Sequence, residues 1–192
     1  MPNNRLIFLR HAETKVDENL IVSKWLLTEK GKREAINLLN SKLFDDIDII
    51  ITSTEEKAYQ TACPLSERLH NEIMRDENFN EILRDQGRYL ETKDEYHRTL
   101  KLCVDNRDHS YNNWEPASHA LNRFSKAVQD VDMKFSNKKF LIVSHGVVIN
   151  LYFAKLLRKL DSVFERWSTN TFCDYGIIQN NKVIKDIAKV KD

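Results

Sequence analysis

Two short apolar runs in this chain end in histidine. Leu6-Ile7-Phe8-Leu9 leads straight into Arg10-His11, and Phe140-Leu141-Ile142-Val143 leads into Ser144-His145-Gly146. A third run, Ile47 to Ile51, is followed by Thr52-Ser53 and, a few residues on, by Lys57. A neutral imidazole can attack phosphorus through one ring nitrogen while the other donates to a fixed acceptor, leaving a covalent phosphohistidine that water then opens. The transition state of phosphoryl transfer is loose, with charge spread over three equatorial oxygens, so positioned cations and donors carry most of the catalysis. Arg10 supplies a planar fork beside His11, and His145, if protonated, would add a positive donor from the opposite strand. A carboxylic acid must protonate the leaving oxygen, and Glu81 is the candidate. No metal and no cofactor is expected in this scheme.

Such residues act together only if the fold brings their runs to one edge. The three runs are compact and rich in β-branched or aromatic residues, as strands covered on both faces are. Helical stripes fill the gaps: Ala35, Leu38, Leu39 and Leu43; then Ala58, Ala62, Leu65 and Leu69; then Leu121, Phe124, Val128, Val131 and Phe135. Alternation of this kind predicts a three-layer α/β/α sandwich with a mainly parallel central sheet, whose ligands bind beyond the carboxyl ends of the strands. Ser53 and Glu56 have capping-box spacing, which puts Lys57 in the first turn of a helix whose free N–H groups attract anions. Residues 105–118 read as a surface loop near the crevice mouth. Asn180-Asn181 reads as the two-residue turn of a C-terminal hairpin.

Longer motifs around these residues resemble those of a known family. Leu9-Arg10-His11-Ala12-Glu13-Thr14 resembles the L-R-H-G-E-T signature of the histidine phosphatase superfamily, in its phosphoglycerate mutase-like branch. Leu27-Thr28-Glu29-Lys30-Gly31 is similar to that family's L-T-x-x-G, and Thr52 to Ala62 to its S-S-P-L-x-R-A-x-Q-T-A. Val143-Ser144-His145-Gly146 matches its V-S-H-G. The resemblance implies that His11 is the nucleophile, with His145 and Glu81 catalytic beside it, and that Arg10, Lys57 and Gly146 belong to the phosphate site. It also marks departures. Lys57 stands where the family has arginine, so a point charge replaces a bidentate grip unless Arg84 or Arg88 takes over. Asp17 stands where mutase-like members often carry a phosphate-binding Asn, and Thr54 replaces Pro. Phe79-Asn80-Glu81-Ile82 follows the family's L-x-E-I only loosely.

Bulk properties set the frame. At 192 residues and 41% hydrophobic content, one domain spanning 1–192 is expected. The 30 basic and 29 acidic residues nearly cancel, so neither nucleic acid nor a membrane surface is an expected partner. The four glycines admit no G-x-G-x-x-G loop and no P-loop. Cys63, Cys103 and Cys173 are too scattered for a disulfide framework, which fits a cytoplasmic location, and Cys63 and Cys173 read as small core residues. His70, His97, His109 and His119 lack metal-ligand spacing. Asp46-Ile47-Asp48 precedes its strand instead of following one, unlike the aspartates of aspartate-based phosphatases.

The expected activity is therefore metal-independent hydrolysis of phosphate monoesters, the partner being a small phosphorylated substrate or a phosphoprotein. Mutase-type transfer and non-catalytic phosphate binding on the same fold are the alternatives. Substrate choice is expected to lie in residues 15–26 and 84–118.

Overall fold

The computed structural model describes residues 2–190. In chain order the strands and helices are β1 (Arg5–Arg10), α1 (Glu29–Asn37), β2 (Ile49–Thr52), α2 (Glu56–Leu69), β3 (Ile73–Arg75), α3 (Lys93–Asp105), α4 (Ala117–Lys134), β4 (Lys139–Ser144), α5 (Gly146–Leu156), α6 (Val163–Thr169), β5 (Tyr175–Gln179) and β6 (Lys182–Ala188). The strands form one sheet in the order β3-β2-β4-β1-β5-β6. Pairings β3–β2, β2–β4 and β4–β1 are parallel, while β1–β5 and β5–β6 are antiparallel.

The unbroken apolar runs follow from burial on both faces. In β1, Leu6 and Phe8 enter the core on one side and Ile7 and Leu9 the core on the other, as the period of two along a strand requires. In β4, Phe140 and Ile142 pair off against Leu141 and Val143 in the same way. Helix α2 covers the second face, with Ala58, Ala62 and Leu65 fully buried, joined by Leu38 and Phe44 from the turns that follow α1. Helices α3 to α6 cover the first, where Phe8, Phe124 and Phe153 pack ring against ring. Each such side chain contributes roughly 1.5–3 kcal/mol relative to exposure.

Several expectations needed adjustment. The first helical stripe is not one helix: α1 ends at Asn37, and Leu38 and Leu43 lie in two successive 3-10 turns. Helix α5 carries no apolar stripe at all, because Gly146 to Ala154 is buried all round. Of the cysteines, only Cys103 is fully buried, while Cys63 and Cys173 are half-buried. The hairpin is as expected: Asn180 and Asn181 have φ of 50° and 57°, the left-handed pair that a tight β5–β6 turn needs. Asp46 and Asp48 pair with Lys139 and Lys138 at the opposite end of the sheet from the histidines.

Candidate active site

The central strands β2, β4 and β1 end side by side, and their register sets the site. Arg10 lies opposite Ser144, and Thr52 opposite Val143. The ladder runs one step past each strand: the His11 N–H donates to Ser144 O at 2.9 Å, and the Ser53 N–H to Val143 O at 3.1 Å. The rings of His11 and His145, 134 residues apart, therefore face each other with centroids 5.1 Å apart.

The loop carrying His11 is clamped from two helices. On α2, Thr61 accepts the Ala12 N–H at 3.0 Å and Gln60 accepts the Leu27 N–H at 3.0 Å. On the other side, Thr28 caps α1 by accepting the Gly31 N–H and donates to Glu13. Gly31 is required there, since a Cβ would lie 2.1 Å from the Glu13 carbonyl oxygen. His11 Nδ1 sits 2.8 Å from Ala12 O and 3.1 Å from Thr14 Oγ1. A carbonyl can only accept, so Nδ1 carries the hydrogen and the Nε2 lone pair is left free. Burial, reinforced by His145, Lys57 and Arg10, holds the His11 pKa well below the usual imidazole value, which keeps the ring neutral.

His145 is completely buried, and desolvation followed by the charges of Lys57, Arg84, Arg123 and Arg10 likewise depresses its pKa. Its Nε2 lies 2.7 Å from Ser53 Oγ, and its Nδ1 has no protein partner among the described residues. Ser53 thus serves the imidazole instead of capping a helix. The expected Ser53–Glu56 capping box does not form: α2 begins at Glu56 with Glu55 as its N-cap residue, and Glu56 pairs with Arg75. Lys57 does fall in the first turn, as expected. It is almost wholly buried, and its ammonium is bound by Glu55 and by Val22 O.

Glu81 is buried at the start of α5. One carboxyl oxygen accepts the Ile82 and Val148 N–H groups and the other accepts that of Val147, so the Glu81 side chain is fixed against the first turn of α5 with one lone pair of Oε2 left over. Arg10 lies against the Phe172 ring, its cation 4.7 Å from the centroid. Arg10 Nη1 reaches Asn170 O at 3.3 Å, and its buried Nε is unpartnered. Gly146 makes room for that guanidinium, because a Cβ would stand 3.1 Å from Arg10 Cζ, tighter than most side-chain contacts.

All six sequence-derived residues, His11, His145, Glu81, Arg10, Lys57 and Gly146, are thus within one region, and all but the sequestered His145 line a cavity of about 610 Å³. Its outer walls come from Val16, residues 18–22 and Trp25, from most of residues 84–93, and from Trp114, Trp167 and Phe172, broadly the loops expected to select substrate. Residues 105–118 are less of a surface loop than expected, since Trp114 is buried beside the cavity. Asp17 is not part of the wall; its carboxylate accepts from Asn19. Arg84 and Arg88 are both part of it; Arg84 Nη1 donates to Tyr96 at 2.8 Å, and the more exposed Arg88 pairs with Glu95. Sequence reasoning missed Glu55, although an acidic residue where the related motif has leucine was a usable signal. Among the described residues no helix is long and apolar enough to cross a membrane. No three His, Cys, Asp or Glu side chains there cluster as metal ligands.

The model of the family described as "Histidine phosphatase superfamily (branch 1)" matches residues 6–182. Phosphoserine phosphatase 1 of Hydrogenobacter thermophilus is 24% identical over 164 residues, which cover 80% of this chain and 76% of that protein. Among solved structures, mycobacterial glucosyl-3-phosphoglycerate phosphatase superposes with a TM-score of 0.76 at 16% identity, covering 97% of this chain and 99% of that one. An Entamoeba histolytica phosphoserine phosphatase, solved as a mutant in complex with phosphoserine, gives 0.74 at 18% identity, with 96% of each chain covered.

Proposed function

The chain belongs to the histidine phosphatase superfamily, and from that membership we propose that it is a metal-independent phosphomonoesterase working through a phosphohistidine on His11. The observation that carries the proposal is the pair of facing imidazoles with unspent polar atoms around them. His11 offers a free Nε2, and the buried Arg10 Nε and His145 Nδ1 lack protein partners. Buried polar atoms left open are costly unless a ligand satisfies them, and donors grouped around a nucleophile suit a phosphoryl group.

In the proposed reaction, the His11 Nε2 lone pair forms a bond to phosphorus as the bond to the ester oxygen breaks. The leaving oxygen takes a proton from Glu81, the buried carboxyl group of the cavity wall; Glu18 and Glu91 are exposed, and Asp85 is tied to Ser23. Water next attacks phosphorus and the P–N bond breaks. Its proton passes to Glu81, which restores the starting state. In the tautomer proposed for His145, Ser53 gives its hydroxyl hydrogen to Nε2, and Nδ1 carries the imidazole proton and donates it to a phosphate oxygen. Arg10 and Arg84 supply guanidinium donors, and Gly146 lets Arg10 sit close.

Phosphoserine, the substrate named for two of the relatives, is the first small monoester to test. The decisive experiment follows hydrolysis of p-nitrophenyl phosphate and phosphoserine with and without EDTA, and traps the enzyme in acid for phosphohistidine. Turnover that persists in EDTA and disappears in His11→Ala is expected. Activity that survives His11→Ala, or that depends on added metal, would overturn the mechanism.

A further inference from the structure

We infer that Glu55 is a positioning residue for phosphate binding: its carboxylate holds the Lys57 ammonium in one orientation, so that the two side chains together replace a single arginine. The inference rests on reading the cavity as a phosphate site. In the related motif S-S-P-L-x-R-A, the leucine and arginine positions are occupied here by Glu55 and Lys57. The two changes meet in space.

Glu55 is 5% exposed and Lys57 3%. Burying two charges is expensive, and an apolar pair of similar volume is often at least as stable, so stability alone does not call for this arrangement. The contacts suggest what does. An ammonium has three hydrogens. One is directed at Glu55 Oε2 and one at Val22 O, 2.9 Å away, which leaves one for the cavity that Lys57 lines. A lysine stem is flexible and its ammonium is a point charge without arginine's rigid fork; two fixed acceptors supply the missing direction. The other carboxylate oxygen of Glu55 accepts the Glu81 N–H at 2.8 Å and lies 3.4 Å from His145 Nε2. One side chain therefore touches the lysine, the backbone that carries Glu81, and the second imidazole.

The charged and titratable groups around Lys57 are Glu55 on its own segment, Glu81 and Arg84 from the following loop, Arg10 at the end of β1 and His11 just after it, and His145 after β4. Burial pulls the Lys57 pKa below its ordinary value, and Glu55 is the foremost group opposing that pull. Without Glu55 the ammonium loses both its orientation and its main counter-charge, and it gives up its proton at a lower pH.

The test is calorimetric titration with inorganic phosphate, which needs no turnover, across pH 6 to 9 for the native protein, Glu55→Leu, Lys57→Arg and the double variant. Glu55→Leu is expected to weaken phosphate at least tenfold at pH 8, with affinity falling away at lower pH than in the native protein. The double variant, which restores the leucine and arginine pairing, is expected to recover most of the loss. Lys57→Arg alone is expected not to bind better than native, because Glu55 captures the guanidinium. Binding by Glu55→Leu within threefold of native, or a double variant no tighter than Glu55→Leu, overturns the inference. Should Glu55→Leu fail to fold, Glu55→Gln keeps the size and the Glu81 contact but removes the charge, and the same limits apply to it. Phosphate binding without hydrolysis would sink the phosphatase reading and leave this one standing; hydrolysis with binding indifferent to residue 55 would do the reverse.

Discussion

Folding stability is expected to fall between pH 7.5 and 5.5, and the two facing imidazoles are the cause. His11 and His145 are 7% and 0% exposed, and burial is the first reason that each resists a proton in the folded state. In the unfolded chain both titrate near 6.5. Below that value the unfolded state binds protons that the folded state refuses, so stability rises with pH across this window and is lost as pH falls. Each withheld proton removes between about 1 and 2 kcal/mol over these two pH units, and the pair roughly 3 kcal/mol, a large part of a typical domain's stability. The carboxylates whose pKa values are depressed, such as Asp46, Asp48 and Glu95, have ordinary values of 3.8 to 4.5 and titrate below the window. Urea unfolding at pH 7.5, 6.5 and 5.5 reads the effect directly. In His11→Gln the fall between the end points should shrink by about half. A native protein equally stable at all three pH values, or a His11→Gln variant with an unchanged slope, would refute the argument that burial keeps these rings neutral.

Two further outcomes follow from the clamps on the His11 loop. Gly31→Ala forces a Cβ to within 2.1 Å of the Glu13 carbonyl oxygen and should destabilise by roughly 1–3 kcal/mol, read as a lower urea midpoint, with turnover falling as the loop shifts. Thr61→Val leaves the buried Ala12 N–H without its acceptor and should lose about 1–3 kcal/mol; unchanged stability would mean that another group satisfies that N–H.

The reach of sequence reasoning here followed the physics of each element. Leu6 to Leu9 and Phe140 to Val143 were legible as strands because burial on both faces demands unbroken apolar runs, and the polar residues just after them marked the edge where the cavity lies. The turn at Asn180-Asn181 was legible because few residue types tolerate two left-handed backbones in succession. Helix α5 was not, since a helix buried all round shows no stripe to distinguish it from other apolar segments. Ser53 misled for a related reason: a serine three residues before a glutamate has one spacing and two possible partners, and the choice of His145 over the helix depends on a strand some 90 residues away. Glu55 was passed over because an acidic residue at a helix start usually needs no further explanation; its departure from the leucine of the related motif was the one sequence signal, and the fold shows it sealed against Lys57.

The parallel pairing of β1 with β4 also bears on how the molecule comes into being. Strand β1 finds its long neighbour only after residues 139–144 have been synthesised. Contacts that distant in sequence form slowly, and until then the apolar face of β1 is exposed to mispairing. The rings of His11 and His145 therefore come together only once synthesis has passed Gly146. A truncated product ending before that point would hold His11 without its opposing ring and β1 without its parallel partner, and would be prone to aggregate.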